Sequence, residues 1–206
     1  MKLYSPFGPT IAAARVSHRL LELLYTEALE IRADDKKRKD HDYRNQLAGN
    51  IAEEYSYGDD MSAELRILLD KEIKAAAIKY MQSVPTTKMT DIRISDTWVN
   101  FMKQGEWNPR HNHSGYISLV IFLRVPKEIA SENTVEESVN ASNFPTAGKL
   151  EFTYGESMDF AACSANITPV QGDMYLFPAS LHHQVYPFIS DVERVSVSIN
   201  IYRSDK

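Results

Sequence analysis

Four of the six histidines form two close pairs in the second half of the sequence, and these residues are well suited to binding a metal. His111 and His113 are separated by one residue, so on a strand both imidazoles would point to one face. His182 and His183 are adjacent and would face opposite ways, so only one of them can join a shared site. Three imidazoles on one side of a metal leave other coordination positions open for substrate and dioxygen.

The residues that follow the second pair favour His183 as the third ligand. His183 opens the segment His-Gln-Val-Tyr-Pro, and Arg194 follows in a strand-like segment. On that strand four polar residues share one face: Arg194, Ser196, Ser198 and Asn200. A guanidinium and a neighbouring hydroxyl can together bind a carboxylate. The alternative is an exposed edge strand with Arg194 in solvent, but the opposite face is strongly apolar, so we expect both faces to be buried.

The elements that must position these residues change in type near residue 88. Before it, apolar residues recur at helical spacing, which predicts one helix through Leu20 and Ile31 with Thr10 as its cap, and a second over 62–82 ending before Pro85. After it, the apolar period becomes two, which predicts strands in five segments: 91–104, 115–125, 149–155, 173–178 and 194–203. So many short strands with few intervening helices predict a sandwich or jelly-roll barrel.

The chain length fits one domain over residues 1–206. We expect a helical N-terminal part, residues 1–87, to pack on a barrel formed by residues 88–206. The acidic, non-periodic stretch 127–148 reads as a long loop inserted between two strands. The charged stretch 32–44 carries both signs, so we interpret it as a solvated turn or helix end.

Composition limits the location and the partners of the protein. The formal net charge of -5 argues against a general nucleic-acid binder. No apolar run approaches the roughly 18 residues that span a membrane, and the N-terminal residues do not resemble a signal peptide. Cys163 is the single cysteine, which excludes an internal disulfide and a cysteine-rich zinc site. Together these features predict a protein of the reducing cytoplasm.

In its C-terminal half the chain resembles the 2-oxoglutarate- and Fe(II)-dependent oxygenases, in particular the prolyl-hydroxylase-like group with its short bacterial and phage members. Five pieces carry the resemblance in order: Trp-Val-Asn (98–100), His-Asn-His-Ser-Gly (111–115), and the segments 118–126, 172–187 and 194–200. The resemblance covers about residues 89–203. It implies a double-stranded β-helix, which is a jelly-roll barrel, with flanking helices, and the host cytoplasm as the location if a phage encodes the chain.

The resemblance also implies roles for particular residues. His111 and His183 match the first and the distal metal histidines of the family. Arg194, helped by Ser196, matches the group that binds the far carboxylate of 2-oxoglutarate. Asn100 is a further candidate for contact with the co-substrate, although a structural role explains an asparagine there equally well.

Two departures from the family pattern matter. Position 113, which usually holds an acidic ligand, is His113, and its imidazole adds no negative charge to the site. If His113 instead were the first ligand, Gly115 would leave the acidic position empty, as in related halogenases. The strand after the first ligands often carries a tyrosine that binds 2-oxoglutarate, but Phe122 has no hydroxyl. Tyr116 or Tyr175 are candidates to replace it.

The resemblance therefore implies an enzyme that uses Fe(II), 2-oxoglutarate and dioxygen, with oxidative decarboxylation to succinate and hydroxylation of a C–H bond. The substrate would be a protein side chain or a small molecule. A cupin-type dioxygenase or isomerase is one alternative, since Gly105 to His113 and Gly172 to His183 fit cupin spacings, although the cupin glutamate is missing and Arg194 would have no role. A non-enzymatic jelly-roll binding module is another. The oligomeric state stays open, with a homodimer among the possibilities.

Overall fold

The computed structural model describes residues 8–84, 87–134 and 145–204. In chain order its helices are α1 (His18–Ala33), α2 (Asp35–Asp40), α3 (Ala63–Leu68), α4 (Lys74–Ser83) and α5 (Lys127–Ser131), with a π-helical turn (Leu69–Ile73) joining α3 to α4. The strands are β1 (Ala12–Arg15), β2 (Glu54–Ser56), β3 (Ile92–Met102), β4 (Asn108–His111), β5 (Ile117–Arg124), β6 (Leu150–Thr153), β7 (Ser164–Ile167), β8 (Asp173–Pro178), β9 (His182–Val185) and β10 (Arg194–Arg203).

The strands form two antiparallel sheets, which is the jelly-roll architecture that the sequence predicts. The larger sheet has the order β1-β8-β5-β10-β3-β2, and the smaller has the order β4-β9-β6-β7. All the pairings are antiparallel. The five segments with period two all contain strands, because successive side chains of a strand point to opposite faces of the sheet.

The two faces of the larger sheet serve different purposes. Its outer face packs against α1, α3 and α4 through a large apolar cluster that includes Leu24, Ile73, Val99 and Val197. A smaller cluster around Phe122, with members from both sheets, lies on the inner face. In β10 the alternation therefore sends valines and isoleucines to the helices and polar residues to the space between the sheets.

The N-terminal part is not wholly helical, contrary to the sequence expectation. Ser17, not Thr10, caps α1, because its hydroxyl accepts from the Leu20 amide at 3.1 Å. The residues after Thr10 form β1, which pairs with β8, and β2 pairs with β3. These pairings are long-range, so local helix signals could not reveal them. The single-domain division of the chain stays a prediction.

Two other predicted segments differ in detail. The charged stretch 32–44 includes α2 as well as a turn. The expected loop 127–148 begins with α5, whose Ile129 is buried, and residues 135–144 lie outside the described part of the chain. Pro85 also lies outside it. Among the described residues, no helix has the length and apolar character that crossing a membrane requires.

Candidate metal and co-substrate site

Three imidazoles come together at one end of the smaller sheet. His111 ends β4 and pairs directly with His183 on β9, so both side chains lie on one face. The ring centroids of His111 and His183 are 4.3 Å apart, and His113 lies 4.9 Å and 5.0 Å from them. One ring nitrogen from each lies within 4.8 Å of the others. Among the described residues, these three side chains form the one cluster that could hold a metal.

The hydrogen bonds of two rings leave the correct nitrogen free for a metal. Nδ1 of His111 donates to the Pro109 carbonyl at 2.7 Å, and Nδ1 of His183 donates to the Leu181 carbonyl at 2.9 Å. A carbonyl can only accept, so Nδ1 carries the proton and Nε2 keeps its lone pair in both rings. Backbone carbonyls commonly orient metal-binding histidines in this way.

Burial keeps these imidazoles neutral at pH 7. Desolvation lowers the pKa of His183 to about 3 and that of His113 to about 4, and neighbouring histidines add to both shifts. The pKa of His111 is also lowered, mainly by desolvation. Neutral imidazole is the form that binds a metal, so the site is prepared for one.

His113 reaches the cluster by a route that differs from the strand geometry expected from sequence. β4 ends at His111, so His113 lies beyond the strand. Its amide donates to the Ala179 carbonyl at 2.9 Å, and its ring packs edge-on to Trp98 at 5.5 Å. This hydrogen bond and the packing against the Trp98 indole fix the position of His113, which strand pairing does not. His182, as expected from its position beside His183, is exposed.

Arg194 is buried in the same cavity without an acidic partner. It begins β10 and is 2% exposed. Nη1 donates to the Gly148 carbonyl at 2.8 Å, while Nε is buried with no hydrogen-bond partner. Desolvation lowers the pKa of Arg194 to about 10, so it stays cationic at pH 7. No carboxylate of the described residues forms an ion pair with it. A buried cation of this kind needs an anion, which none of the described residues supplies.

Polar side chains continue along the cavity from Arg194. Ser196 and Asn100 are directly paired across β10 and β3, and both are buried. The Asn100 amide donates to the Ser196 carbonyl at 3.4 Å, and Ser118 donates to Asn200 at 2.6 Å. The cavity wall includes the three histidines, Arg194, Ser196, Asn100, Trp98 and Phe122. Imidazoles and a guanidinium in the wall of one cavity suit a metal and a carboxylate bound together.

The two tyrosines that were candidates for binding 2-oxoglutarate do not line the cavity. Tyr116 does not line the cavity: it packs against the helix-side cluster, with the Arg203 guanidinium 4.1 Å above its ring. Its position just before β5 turns it away from the site. Tyr175 lies in the inner-face cluster, 6.3 Å from the Phe122 ring, but is not part of the cavity wall.

Sequence reasoning missed the wall formed by Leu47, Ala48 and Asn108. It also missed Glu54, which pairs with Asn100 across β2 and β3. None of these residues lies in a motif or a periodic segment, and their approach to the site depends on long-range pairing. A buried carboxylate in a short strand gives no local signal.

Comparison with known proteins identifies the family. Residues 96–200 match the sequence model of a family described as "Putative 2OG-Fe(II) oxygenase". The chain belongs to this family. It is therefore a 2-oxoglutarate- and Fe(II)-dependent oxygenase, as its histidines and Arg194 led us to expect. No curated protein matches the sequence.

Solved structures share the fold of this oxygenase at low identity. The viral collagen prolyl hydroxylase vCPH of Paramecium bursaria Chlorella virus-1 is 13% identical with a TM-score of 0.56, covering 93% of this chain and 94% of its own. A Pseudomonas putida prolyl-4-hydroxylase is 14% identical with a TM-score of 0.52, covering 96% and 94%. AviO1 from Streptomyces viridochromogenes is 16% identical with a TM-score of 0.60, covering 95% and 90%.

The side chains of the cavity fit the cofactors of the family. Three neutral imidazoles suit Fe(II), and the unpaired Arg194 suits the dicarboxylate 2-oxoglutarate. The oxygenase thus uses Fe(II), with 2-oxoglutarate and dioxygen as co-substrates. The cupin and non-enzymatic alternatives are disfavoured, since neither gives Arg194 a function.

Proposed function

We propose that His111, His113 and His183 hold the Fe(II), and that Arg194 and Ser196 bind the far carboxylate of 2-oxoglutarate. One observation carries the proposal: a buried guanidinium with an unpartnered Nε shares a cavity with three neutral imidazoles. When bound, Fe(II) and 2-oxoglutarate supply the oxidising chemistry, with 2-oxoglutarate converted to succinate and carbon dioxide. The reaction that we propose is hydroxylation of a C–H bond in the primary substrate.

The protein's own contribution is to orient the reactants and to exclude water. The Pro109 and Leu181 carbonyls fix two imidazoles with Nε2 towards the site. The Asn100 side-chain amide donates a hydrogen bond to the Ser196 carbonyl and so helps to fix the strand that carries Ser196. Phe122, Phe177 and Leu150 shield the cavity from solvent. In this dry setting a charge-assisted pair between Arg194 and a carboxylate is stronger than in water.

Titration under anaerobic conditions tests the assignment. Fe(II) and 2-oxoglutarate together should give a weak visible charge-transfer band. Arg194→Ala should raise the 2-oxoglutarate concentration needed for half of this band by roughly ten- to a hundredfold, because it loses charge-assisted hydrogen bonds of about 1.5–3 kcal/mol. Fe(II) binding should be retained.

Arg110→Ala is the matched control, since Arg110 is an exposed arginine beside His111. It should leave the 2-oxoglutarate requirement unchanged. An unchanged requirement in Arg194→Ala would remove Arg194 from the co-substrate site, and absence of the band in the unmodified protein would contradict the cofactor assignment.

The structures that share the fold include proteins with different activities and different bound compounds. Among them are a prolyl-4-hydroxylase, HygX with hygromycin B bound, and the epimerase SnoN in complex with nogalamycin RO. For this chain we propose a protein side chain or a small molecule as the substrate. We also propose that the enzyme acts in the cytoplasm. A homodimer is the oligomeric state to test by light scattering.

A further inference from the structure

Glu54 occupies the inner face of the larger sheet in line with the co-substrate residues. Ser196 pairs with Asn100, and Asn100 pairs with Glu54, so the three side chains form a row across β10, β3 and β2. Cross-strand partners point to the same face. Neighbouring strands are about 4.8 Å apart, so Glu54 lies about 10 Å across the sheet from Ser196. It is therefore at the opposite end of the row from the carboxylate-binding group.

Glu54 is buried, and one of its carboxyl oxygens lacks a hydrogen-bond partner among the described residues. It is 1% exposed, and the oxygen without a partner is Oε1. The cations nearby are already engaged: Arg44 pairs with Asp42 at 2.6 Å, and Lys103 pairs with Glu53 at 3.0 Å. Leaving a buried carboxylate unpaired costs folding free energy. A buried carboxyl group with an unpartnered oxygen points to a ligand that completes it.

The region around Glu54 favours a cationic ligand. Burial, and then the negative charge of Glu106, raise the pKa of Glu54 to about 7, with a smaller contribution from Asp42 and an opposing one from Arg44. A cation that arrived here would replace the missing partner. Asn108, which lines the site cavity, lies beside Glu54 and adds a polar amide.

The wall between the cavity and the protein surface is thin at this point. Leu47 and Ala48 line the cavity, whereas Gly49 and Asn50 line an open surface groove that also includes residues 104–106; we call this the outer groove. A Cβ on Gly49 would lie 2.2 Å from Asn108 Oδ1 and 3.3 Å from Glu54 Oε1. A side chain at position 49 would therefore fill the space that separates the outer groove from Asn108 and Glu54.

We propose that Glu54, together with Asn108, binds an amine or guanidinium group of the primary substrate, which enters from the outer groove past Gly49. This inference rests on the proposed function, because it places the primary substrate beside Asn108, which lines the same cavity as Arg194 and Ser196. The segment 47–50 moves outward to admit that group. Its backbone hydrogen bonds include those of the Asn50 amide to the Trp107 carbonyl at 2.9 Å and of the Leu47 amide to the Arg44 carbonyl at 3.2 Å.

Calorimetric titration of the anaerobic Fe(II)- and 2-oxoglutarate-loaded enzyme at pH 8 tests this inference. The probes are n-butylammonium and methylguanidinium, compared with the neutral n-butanol and N-methylurea. The wild-type enzyme should bind the cationic probes at least tenfold more tightly than the neutral ones. Glu54→Gln should abolish this preference while keeping the charge-transfer band of Fe(II) and 2-oxoglutarate.

Two further variants sharpen the result. Glu30→Gln removes one exposed carboxylate from α1 and should leave the preference intact. Gly49→Ala keeps Glu54 but places a methyl group against it and Asn108, so it should weaken binding of the cationic probes. The φ angle of Gly49 is not in the left-handed region, so the added methyl group acts through contact and not through backbone strain.

The dependence on pH separates recognition from a structural role. Glu54 is ionised above its pKa of about 7, so the wild-type preference for cations should fall between pH 8 and pH 6. Asp42, Glu106 and Arg44 also face Glu54, but Glu54→Gln retains all three and should show no such fall.

An absent preference in the wild-type enzyme, or an equal preference in Glu54→Gln, would overturn the inference. Loss of the charge-transfer band in Glu54→Gln would also overturn it, since Glu54 would then support the cofactor site. The band in the wild-type enzyme reports separately on the proposed function, so the two ideas fail independently.

Discussion

The identity of the residue at position 113 decides the charge of the metal site. His113 stands where the family usually has a carboxylate, and its ring lies about as close to His111 as to His183, at 4.9 Å and 5.0 Å. If the three histidines are the ligands, as we propose, the full charge of Fe(II) would be balanced by 2-oxoglutarate. The co-substrate would then have a larger electrostatic role than at a site with an acidic ligand.

We expect His113→Ala and His111→Ala each to weaken Fe(II) binding by roughly tenfold or more, since loss even of a supporting residue costs about that much. His113→Asp should retain or tighten Fe(II) binding, because a carboxylate both ligates and attracts the cation. Equilibrium dialysis under anaerobic conditions measures these affinities.

His182→Ala is the control, as His182 is exposed beside a proposed ligand. The Fe(II) affinities of the variants would reveal a different set of ligands. If His111→Ala bound Fe(II) like the wild type while His113→Ala did not, His113 would be the first ligand and the position at Gly115 would be empty.

At the scale of elements, strand pairing explains what the sequence could and could not reveal. The alternation in β10 was readable because polar and apolar residues strictly alternate over its length, and the helix over 62–82 was readable from its apolar spacing. β4 and β9 have four residues each, and unlike β6, which has the same length, they contain no alternating apolar residues. The row from Ser196 to Glu54 depends on registers between distant segments, which no local pattern encodes.

The start of α1 shows the same limit. Thr10 and Ser17 are both acceptable caps by residue type, and the choice is made by β1, which takes residues 12–15 into the larger sheet. Ser17 then caps α1, and its hydroxyl also donates to Glu72 at 2.6 Å. The strand thus fixes where the helix begins.

Ser17→Ala should lower the free energy of unfolding by about 1 kcal/mol, the usual cost of losing a helix cap. Chemical denaturation measures this difference. Thr10→Ala is the comparison, because only its backbone carbonyl makes a contact, with the Tyr80 hydroxyl. An equal loss in both variants would contradict the assignment of the cap.

At the scale of the whole molecule, one face of the larger sheet forms the apolar core and the other face forms the candidate site. The outer face buries apolar side chains against the helices, and the inner face holds the cavity with the three imidazoles and the Arg194 guanidinium. Cofactors that complete those charges bind only the folded chain. Their binding energy therefore adds to its stability.

We expect Fe(II) and 2-oxoglutarate to raise the melting temperature under anaerobic conditions. A ligand at a hundred times its dissociation constant adds about 2.7 kcal/mol, which is roughly 5–10 °C for a domain of this size. Scanning calorimetry measures the shift. In Arg194→Ala the increment from 2-oxoglutarate should disappear while that from Fe(II) remains, and an undiminished increment would contradict the role of Arg194.

The cost of Glu54 to stability affects how this enzyme is expected to evolve. Its folded-state pKa of about 7 lies above the ordinary value of 4.5, so the ionised carboxylate weakens folding as the pH rises through that interval. Selection for heat resistance alone would favour its replacement by a neutral residue. A lineage that keeps the glutamate in spite of that pressure would be one in which the substrate, and not the fold, requires it.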